Sequence, residues 1–317
     1  MVGSNLRERL SRDHQVLSPS SRELDLLDAG ATRAVLVDAA PDLVIHAAGR
    51  VGGIEANRNA NARFLAENTI MGLNVVQAAD EAGVPRLLNL ASSCMYPRDV
   101  EGSLPEEMIL EGRLEPTNEG YALAKIAITR FCAFLSRERA DRRYVTAVPC
   151  NLYGPGDSFD PVRAHMLPSA LRKVDEAVRN GSRTVEIWGD GTARREFMYV
   201  GDLTDFVSKA LERFDTLPEV LNIGTGRDHT VQEYYEAAAR TVGFQGSYVY
   251  DTSKPMGMRR KLLDCTLLTI WGWQSSHSLE EGLRLTHEFY GRTSDHLSAR
   301  DELVGRAGTA RTPGRHR

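Results

Sequence analysis

The sequence has no long apolar run, since nowhere in its 317 residues do about 18 consecutive apolar residues occur, the length needed to cross a bilayer. It also begins without the charged start and apolar core of a secretory signal peptide. Its net charge of -4 gives no excess of positive charge for binding nucleic acid or an anionic membrane. These absences predict a cytoplasmic protein that binds neither nucleic acid nor membrane.

Cysteine is also scarce, and the four cysteines are Cys94, Cys132, Cys150 and Cys265. They show neither the close spacing of metal ligands nor the density of a disulfide scaffold. We therefore predict free thiols and no metal site. The chain is long enough to bury a substantial core and to form two domains, or one domain with a lobe.

A further absence lies at the beginning of the chain. A dinucleotide-binding domain normally starts with a strand and a glycine-rich turn, whose backbone approaches the pyrophosphate at a helix N-terminus. Residues 1–10 instead read as the start of a helix, and Gly3 matches only the last glycine of such a turn. We expect the first strand and the pyrophosphate loop to be missing. Either the start is assigned too far downstream, or the polypeptide binds dinucleotide poorly.

What the sequence does contain is a reactive stretch between Ser92 and Lys125. Tyr121 and Lys125 stand four residues apart among strong helix formers, so both side chains should share one helix face. A neighbouring ammonium should lower the pKa of the phenol towards the range useful for proton transfer. Ser92 follows the apolar run 87–91, which predicts a buried parallel strand, and ligands bind at the carboxyl ends of such strands. An exposed helix pair would explain the spacing alone equally well.

Three motifs in order make this stretch more specific. They are Ser-Ser-Cys-Met-Tyr-Pro at 92–97, Glu-Pro-Thr-Asn-Glu-Gly-Tyr-Ala-Leu-Ala-Lys at 115–125 and Asn-Leu-Tyr-Gly-Pro at 151–155. Together they resemble the GDP-L-fucose synthase family of extended short-chain dehydrogenases/reductases. The resemblance extends from about residue 1 to about residue 291.

The resemblance and the strand pattern imply an α/β fold, with a doubly wound, Rossmann-like parallel sheet and a small C-terminal substrate lobe. Residues 1–155 are expected to form an N-terminally incomplete dinucleotide-binding domain. Residues 156–292 should form mainly the substrate lobe, with segments such as 221–223 returning to the main sheet. We predict a short strand at 14–17, a long helix at 57–82 and a disordered tail at 293–317.

The turn after residue 17 bears on the choice of cofactor. Arg22 lies where an arginine suits the 2′-phosphate of NADP, although it could equally be a solvated surface residue. Ala47 and Ala48 follow an apolar strand, and such small residues would let the chain pass against a cofactor. The sequence pattern and the resemblance together imply a set of cofactor-binding residues. They are Gly3, Arg22, Ala47, Ala48, Tyr121, Lys125, Asn151, Leu152 and His165.

The second half of the chain carries the expected substrate site. The motif Trp-Gly-Asp-Gly at 188–191, continuing to Arg-Glu-Phe at 195–197, resembles the family, and the fork of Arg195 suits a diphosphate. The segment that starts at Lys254 is similar to the family's, except that Met256 and Met258 replace aspartate and threonine, which leaves the base and the sugar open. The expected substrate-binding residues are Arg172, Lys173, Trp188, Arg195 and Lys254.

The resemblance implies two chemistries on one nucleotide-diphosphate 4-keto-6-deoxyhexose, with GDP-4-keto-6-deoxy-D-mannose giving GDP-L-fucose. A C4 ketone acidifies the C3 and C5 protons, so Cys94 as base and His165 as acid would epimerise these carbons. NADPH would then reduce C4, with Tyr121 supplying the proton, Lys125 lowering its pKa and Ser92 binding the carbonyl oxygen. The family also implies a homodimer packed through the long helices.

Two alternatives remain open from the sequence. The first is a related enzyme, a nucleotide-sugar 4-epimerase or an epimerase without net reduction, although Cys94 together with His165 counts against a simple 4-epimerase. A catalytically silent subunit that binds cofactor or sugar is suggested by the missing first strand. Retention of all five reactive residues counts against that reading.

Overall fold

A computed structural model describes residues 1–161, 164–254 and 256–292, so the predicted tail at 293–317 lies outside the described residues. The helices are α1 (Val2–Leu10), α2 (Ala29–Ala39), α3 (Ile54–Glu81), α4 (Glu119–Glu138), α5 (Met166–Arg179), α6 (Val200–Glu212), α7 (Val231–Val242) and α8 (Thr266–Trp271). The strands are β1 (Leu43–His46), β2 (Arg86–Leu90), β3 (Arg143–Pro149), β4 (Asn151–Tyr153), β5 (Thr184–Trp188), β6 (Arg194–Arg195), β7 (Phe197–Tyr199), β8 (Val220–Ile223), β9 (His229–Thr230), β10 (Ser247–Asp251) and β11 (Arg260–Lys261). Residues 279–292 are also helical.

The main sheet is parallel and has the strand order β1-β2-β3-β8. Its strands are apolar runs because helices cover both faces. Leu87 of β2 packs with α3 and α4, while the next residue, Leu88, packs in the core that includes α1 and α6. The predicted α/β fold with a Rossmann-like parallel sheet is confirmed.

A second hydrophobic core lies in the C-terminal half. There α5 packs against α7, and buried side chains such as Leu171, Val174 and Tyr234 form one cluster. Small sheets surround it, in which β5 pairs with β10, β6 lies between β11 and β9, and β4 pairs with β7. The segment predicted to return at 221–223 does so as β8 of the main sheet.

Two local predictions need comment. The prediction of a strand at residues 14–17 is wrong, since this segment has no ladder partner among the described residues, and a strand needs one for its backbone N–H and C=O groups. The long helix predicted at 57–82 is present as α3, with a kink at Ala60, whose φ is -145° and ψ is 30°. Within the described ranges, no helix is both long enough and apolar enough to cross a membrane.

Candidate active site

The start of α4 is fixed by contacts with α3. Asn61 of α3 accepts a hydrogen bond from the Gly120 N–H at 3.0 Å and donates to the Pro116 carbonyl at 3.0 Å. A Cβ at Gly120 would lie 2.2 Å from the Asn61 carbonyl oxygen, so only glycine lets the two helices approach this closely. The contact fixes the position of Tyr121, which follows directly.

Ser92 and Cys94 lie just beyond the carboxyl end of β2, as predicted for the serine. The Ser92 hydroxyl accepts a hydrogen bond from the Cys94 N–H at 3.4 Å and so caps a short 3-10 helix, Ser93–Met95. The thiol is buried. Burial raises the pKa of Cys94, and the Ser92 hydrogen bond and the ammonium groups of Lys261 and Lys125 oppose this rise.

Lys125 is buried behind Tyr121, and the two side chains share one face of α4 as predicted. The ammonium Nζ donates to the Leu90 carbonyl at 2.9 Å and lies 5.7 Å from the centre of the Tyr121 ring. Burial lowers the pKa of Lys125 to about 8. The expected lowering of the Tyr121 pKa is not found in the free protein, because burial and the nearby Cys94 raise the pKa of the phenol.

His165 stands directly before α5, at its N-cap position. Desolvation and the Lys261 ammonium lower the pKa of His165. Lys261 thus lies near both His165 and Cys94, although our reading of the sequence assigned it no role. The Lys261 side chain forms no hydrogen bond or ion pair with another described residue. The sequence did contain one indication of a role for Lys261, because this residue lies in the segment after Lys254 that resembles the family.

Four of the five expected substrate-binding residues lie in two groups, one around Arg195 and one around Trp188. Arg195 pairs in register with Lys261 across β6 and β11, and burial lowers the pKa of Arg195 to about 10. The ring of Trp188 has the ammonium groups of Lys173 at 5.4 Å and Lys254 at 5.3 Å from its centre.

Arg172 is the exception among these residues. Its guanidinium Nη1 contacts both carboxylate oxygens of Glu176, each at 2.7 Å, one turn along the same helix. The positive charge of Arg172 is therefore already paired with a carboxylate and is less available to a diphosphate. The prediction that Arg172 binds substrate therefore has less support than that for Arg195.

The expected cofactor residues lie mainly at the carboxyl ends of the main strands. Ala47 and Ala48 follow β1 and are half-buried. A Cβ at Gly49 would lie 3.8 Å from Lys125 Nζ and 3.0 Å from Asn68 Oδ1, so this glycine keeps a space open beside the ammonium.

The remaining cofactor residues are less closely tied to this space. Asn151 donates to the Glu196 carbonyl at 2.8 Å, and Leu152 follows it in β4. Arg22 is exposed in a turn. Gly3 lies in the first turn of α1, where a Cβ would meet no atom within 4 Å, so no close approach requires glycine there.

Comparison with known proteins finds similar sequences over most of the chain. The NAD dependent epimerase/dehydratase family matches residues 1–224. A GDP-L-colitose synthase from Yersinia pseudotuberculosis is 48% identical over 291 residues, which cover 92% of this chain and 94% of that protein. A GDP-L-fucose synthase from Azorhizobium caulinodans is 47% identical over 291 residues and covers 92% and 93% of the two chains.

A solved structure shows the same likeness at the level of the fold. The GDP-mannoheptose C4 reductase from Campylobacter jejuni, with NADP bound, superposes with a TM-score of 0.82 at 29% identity. The match covers 92% of this chain and 95% of the reductase.

Proposed function

The chain belongs to the NAD dependent epimerase/dehydratase family, and we propose that it acts as a GDP-sugar epimerase and reductase that uses NADPH. The substrate is a GDP-4-keto-6-deoxyhexose. The first candidate is GDP-4-keto-6-deoxy-D-mannose, and its product is GDP-L-fucose. The observation that carries this proposal is the meeting of Ser92, Cys94, Tyr121 and Lys125 at the carboxyl end of β2. A thiol, a phenol and an ammonium there supply the groups that both reactions need.

The chain offers a fitting place for the reactive end of NADPH beside Lys125. Among the described residues the ammonium donates one hydrogen bond, to the Leu90 carbonyl, so further N–H groups remain for the ribose. Gly49 keeps this space open, and Ala47 and Ala48 let the chain pass close to a ligand. Bound NADPH supplies the hydride for C4. Arg22 would face the 2′-phosphate, and Gly3, Asn151 and Leu152 the rest of the cofactor.

Epimerisation comes first in the proposed sequence. Cys94 removes a proton from the carbon next to the ketone, and His165 returns one to the opposite face. Ser92 donates a hydrogen bond to the C4 oxygen as negative charge develops there. The base is the thiolate of Cys94, a minor form near pH 7 because burial raises the pKa of the thiol. The acid is the protonated ring of His165, which must first take up a proton because desolvation lowers its pKa.

Reduction follows at the same carbonyl. Tyr121 donates its proton to the C4 oxygen, and Ser92 keeps that oxygen in place. A phenol whose pKa is raised by burial is protonated at neutral pH, which is the state that a proton donor needs. The Lys125 ammonium then stabilises the phenolate left behind.

The diphosphate of the substrate lies between Arg195 and Lys261. Neither side chain forms an ion pair with another described residue, and two unpaired cations side by side suit a dianionic ligand. Trp188, with Lys173 and Lys254 beside its ring, contacts the nucleotide part. Met256 lies against this site, since its carbonyl accepts a hydrogen bond from Arg195 at 2.8 Å.

We also propose a homodimer formed through α3 and α4. These helices pack together and leave large apolar side chains exposed. Ile70 is 44% exposed and Phe134 is 51% exposed. The others in this apolar face are Leu65 and Leu73 of α3 and Leu123 of α4. All four cysteines are free thiols, which fits the reducing cytoplasm as the location of the enzyme.

The test uses GDP-4-keto-6-deoxy-D-mannose in deuterated buffer, with NADPH oxidation followed by absorbance. Tyr121→Phe should abolish NADPH oxidation and leave uptake of deuterium at C3 and C5 measurable by mass spectrometry. Cys94→Ser and His165→Asn should slow that uptake, while a ketosugar epimerised beforehand is still reduced. Glu288→Gln, on an exposed side chain of the C-terminal helix, serves as the control and should behave as wild type.

Each outcome separates the proposal from its alternatives. Deuterium uptake in the wild type without NADPH oxidation would identify an epimerase that does not reduce. NADPH oxidation with normal uptake in the Cys94 and His165 variants would identify a plain reductase. If neither reaction occurs although cofactor and GDP bind, the chain is a silent binding subunit.

A further inference from the structure

Glu196 is a buried carboxylate between Arg195 and β7, with only 1% of its surface exposed. Oxygen Oε2 accepts a hydrogen bond from the Leu263 N–H at 2.9 Å. Oxygen Oε1 accepts from the N–H groups of Thr225 at 2.6 Å and Gly226 at 2.8 Å, and from the Thr225 hydroxyl at 3.2 Å. A buried carboxylate is costly unless such donors surround it, so its contacts define its place.

These hydrogen bonds join three segments that are distant in sequence. One is β6, which carries Arg195, and another is the turn that follows β8. The third follows β11, which carries Lys261. The ladder between β6 and β11 has only two residue pairs, the second being Lys261 with Arg195. Leu263 comes two residues after Lys261, and Glu196 comes directly after Arg195. The hydrogen bond between Leu263 and Glu196 therefore holds the two strands together just beyond the pair of cations.

The turn after β8 is shaped to receive this carboxylate. A Cβ at Gly224 would lie 2.4 Å from Glu196 Oε1 and 3.1 Å from Cys265 Sγ. Glycine is therefore required at this position for the carboxylate to reach the Thr225 and Gly226 N–H groups. This requirement is independent of the hydrogen bonds themselves.

The carboxylate forms no ion pair with either cation, although its charge lies near enough to Lys261 to oppose the burial that lowers the pKa of that ammonium. Every hydrogen bond that it accepts comes from an uncharged N–H or O–H group. Arg195 donates to backbone carbonyls, those of Arg194 at 2.7 Å and Met256 at 2.8 Å. Within the described part of the chain, neither Arg195 nor Lys261 has a carboxylate partner, so both charges remain available to an anion.

We propose that Glu196 is a positioning residue for substrate binding, whose carboxylate fixes the separation of Arg195 and Lys261 so that both meet the diphosphate of the nucleotide sugar. The inference rests on the proposed function, because that function places the diphosphate between these cations. Glu196 itself touches neither the substrate nor the cofactor.

The test is Glu196→Gln, which keeps the size of the side chain and one carbonyl oxygen for Thr225 and Gly226. The amide NH₂ then faces the Leu263 N–H, which loses its acceptor. We expect GDP to bind at least about tenfold more weakly, and KM for the ketosugar to rise by a similar factor. The kcat should change less than about threefold, because the reacting groups are untouched. Titration calorimetry with GDP and with NADPH should show that only GDP binding is affected.

Asp202→Asn is a matched control for loss of a buried carboxylate. Asp202 is also 1% exposed, and it accepts hydrogen bonds from the Ser276 N–H at 3.1 Å and hydroxyl at 2.9 Å. Its Oδ1 also lies 2.8 Å from Nδ1 of His277, and neither Ser276 nor His277 belongs to the site. The Asp202→Asn substitution should lower the melting temperature without changing the affinity for GDP. Thr225→Val removes the hydroxyl bond to Glu196, together with the contacts of that hydroxyl with the Arg227 N–H and carbonyl, and leaves the Thr225 N–H in place. It provides a milder perturbation if Glu196→Gln does not fold. It should weaken GDP binding about twofold to threefold.

Unchanged GDP affinity and KM in Glu196→Gln, or in Thr225→Val should that be the variant that folds, would overturn the inference. Equal weakening of GDP binding in the Asp202 control would overturn it as well, because the effect would then be general destabilisation. A wild-type protein that binds GDP without turning over the ketosugar would contradict the proposed function, while the GDP titrations would still decide the role of Glu196. A wild type that does not bind GDP would overturn both.

Discussion

Replacing Lys125 by methionine should make the free protein more stable near neutral pH while removing its activity. Burial lowers the pKa of Lys125 from its ordinary 10.5 to about 8. At about 1.4 kcal/mol for each pH unit, holding this ammonium in the folded protein costs roughly 3 kcal/mol below pH 8. Methionine removes that cost but leaves the Leu90 carbonyl without its donor, which offsets about 1 kcal/mol. The expected net gain near pH 7 is about 2 kcal/mol.

This stabilisation should disappear as the pH rises. Between the folded pKa of about 8 and the unfolded value of 10.5, the unfolded chain binds the proton that the folded chain has lost. Wild-type stability therefore rises with pH across this window, and the methionine variant has no such rise. Near pH 10, still below the unfolded pKa, the remaining cost of the buried lysine is roughly 1 kcal/mol and about equals the loss of the hydrogen bond, so the variant and the wild type should be about equally stable.

Urea unfolding of both proteins at about pH 7 and about pH 10 measures the two differences. Lys209→Met is the matched control, since Lys209 is exposed and pairs with Asp205 at 3.3 Å on the surface. It should change the free energy of unfolding by less than about 0.5 kcal/mol at either pH. A Lys125→Met variant that is destabilised at neutral pH, or whose difference from wild type does not depend on pH, would refute the assigned burial cost.

Three further results are expected. Because burial raises the pKa of Cys94, deuterium uptake at C3 and C5 should speed up as pH rises above neutral, and a flat pH profile would contradict a thiolate base. Gly120→Ala should cost about 2–4 kcal/mol of stability in urea unfolding, because its Cβ would lie 2.2 Å from the Asn61 carbonyl, whereas Gly3→Ala, in open space on α1, should stabilise by about 0.5–1 kcal/mol. Phe134→Glu should give a monomer in sedimentation velocity, and a retained dimer would exclude the α3 and α4 face.

The sequence was most informative where local pattern decides structure. The apolar run before Ser92 gave β2, and helix-forming residues around Tyr121 and Lys125 placed both side chains on one face of α4. These inferences succeed because strand and helix periodicity depend on neighbours along the chain. The prediction of a strand at 14–17 failed for the complementary reason, since a strand exists only if another strand pairs with it.

What only the tertiary structure decided is the electrostatics of the site. The spacing of Tyr121 and Lys125 suggested a lowered pKa for the phenol, yet burial among distant segments raises it. Lys261 lies near Cys94 and His165 because β11 pairs with β6. No local sequence pattern predicts this pairing. Glu196 likewise acquires its donors from two remote segments, the turn after β8 and Leu263 after β11. Desolvation and hydrogen bonding depend on which atoms surround a group in space, so chain neighbours alone could not determine them.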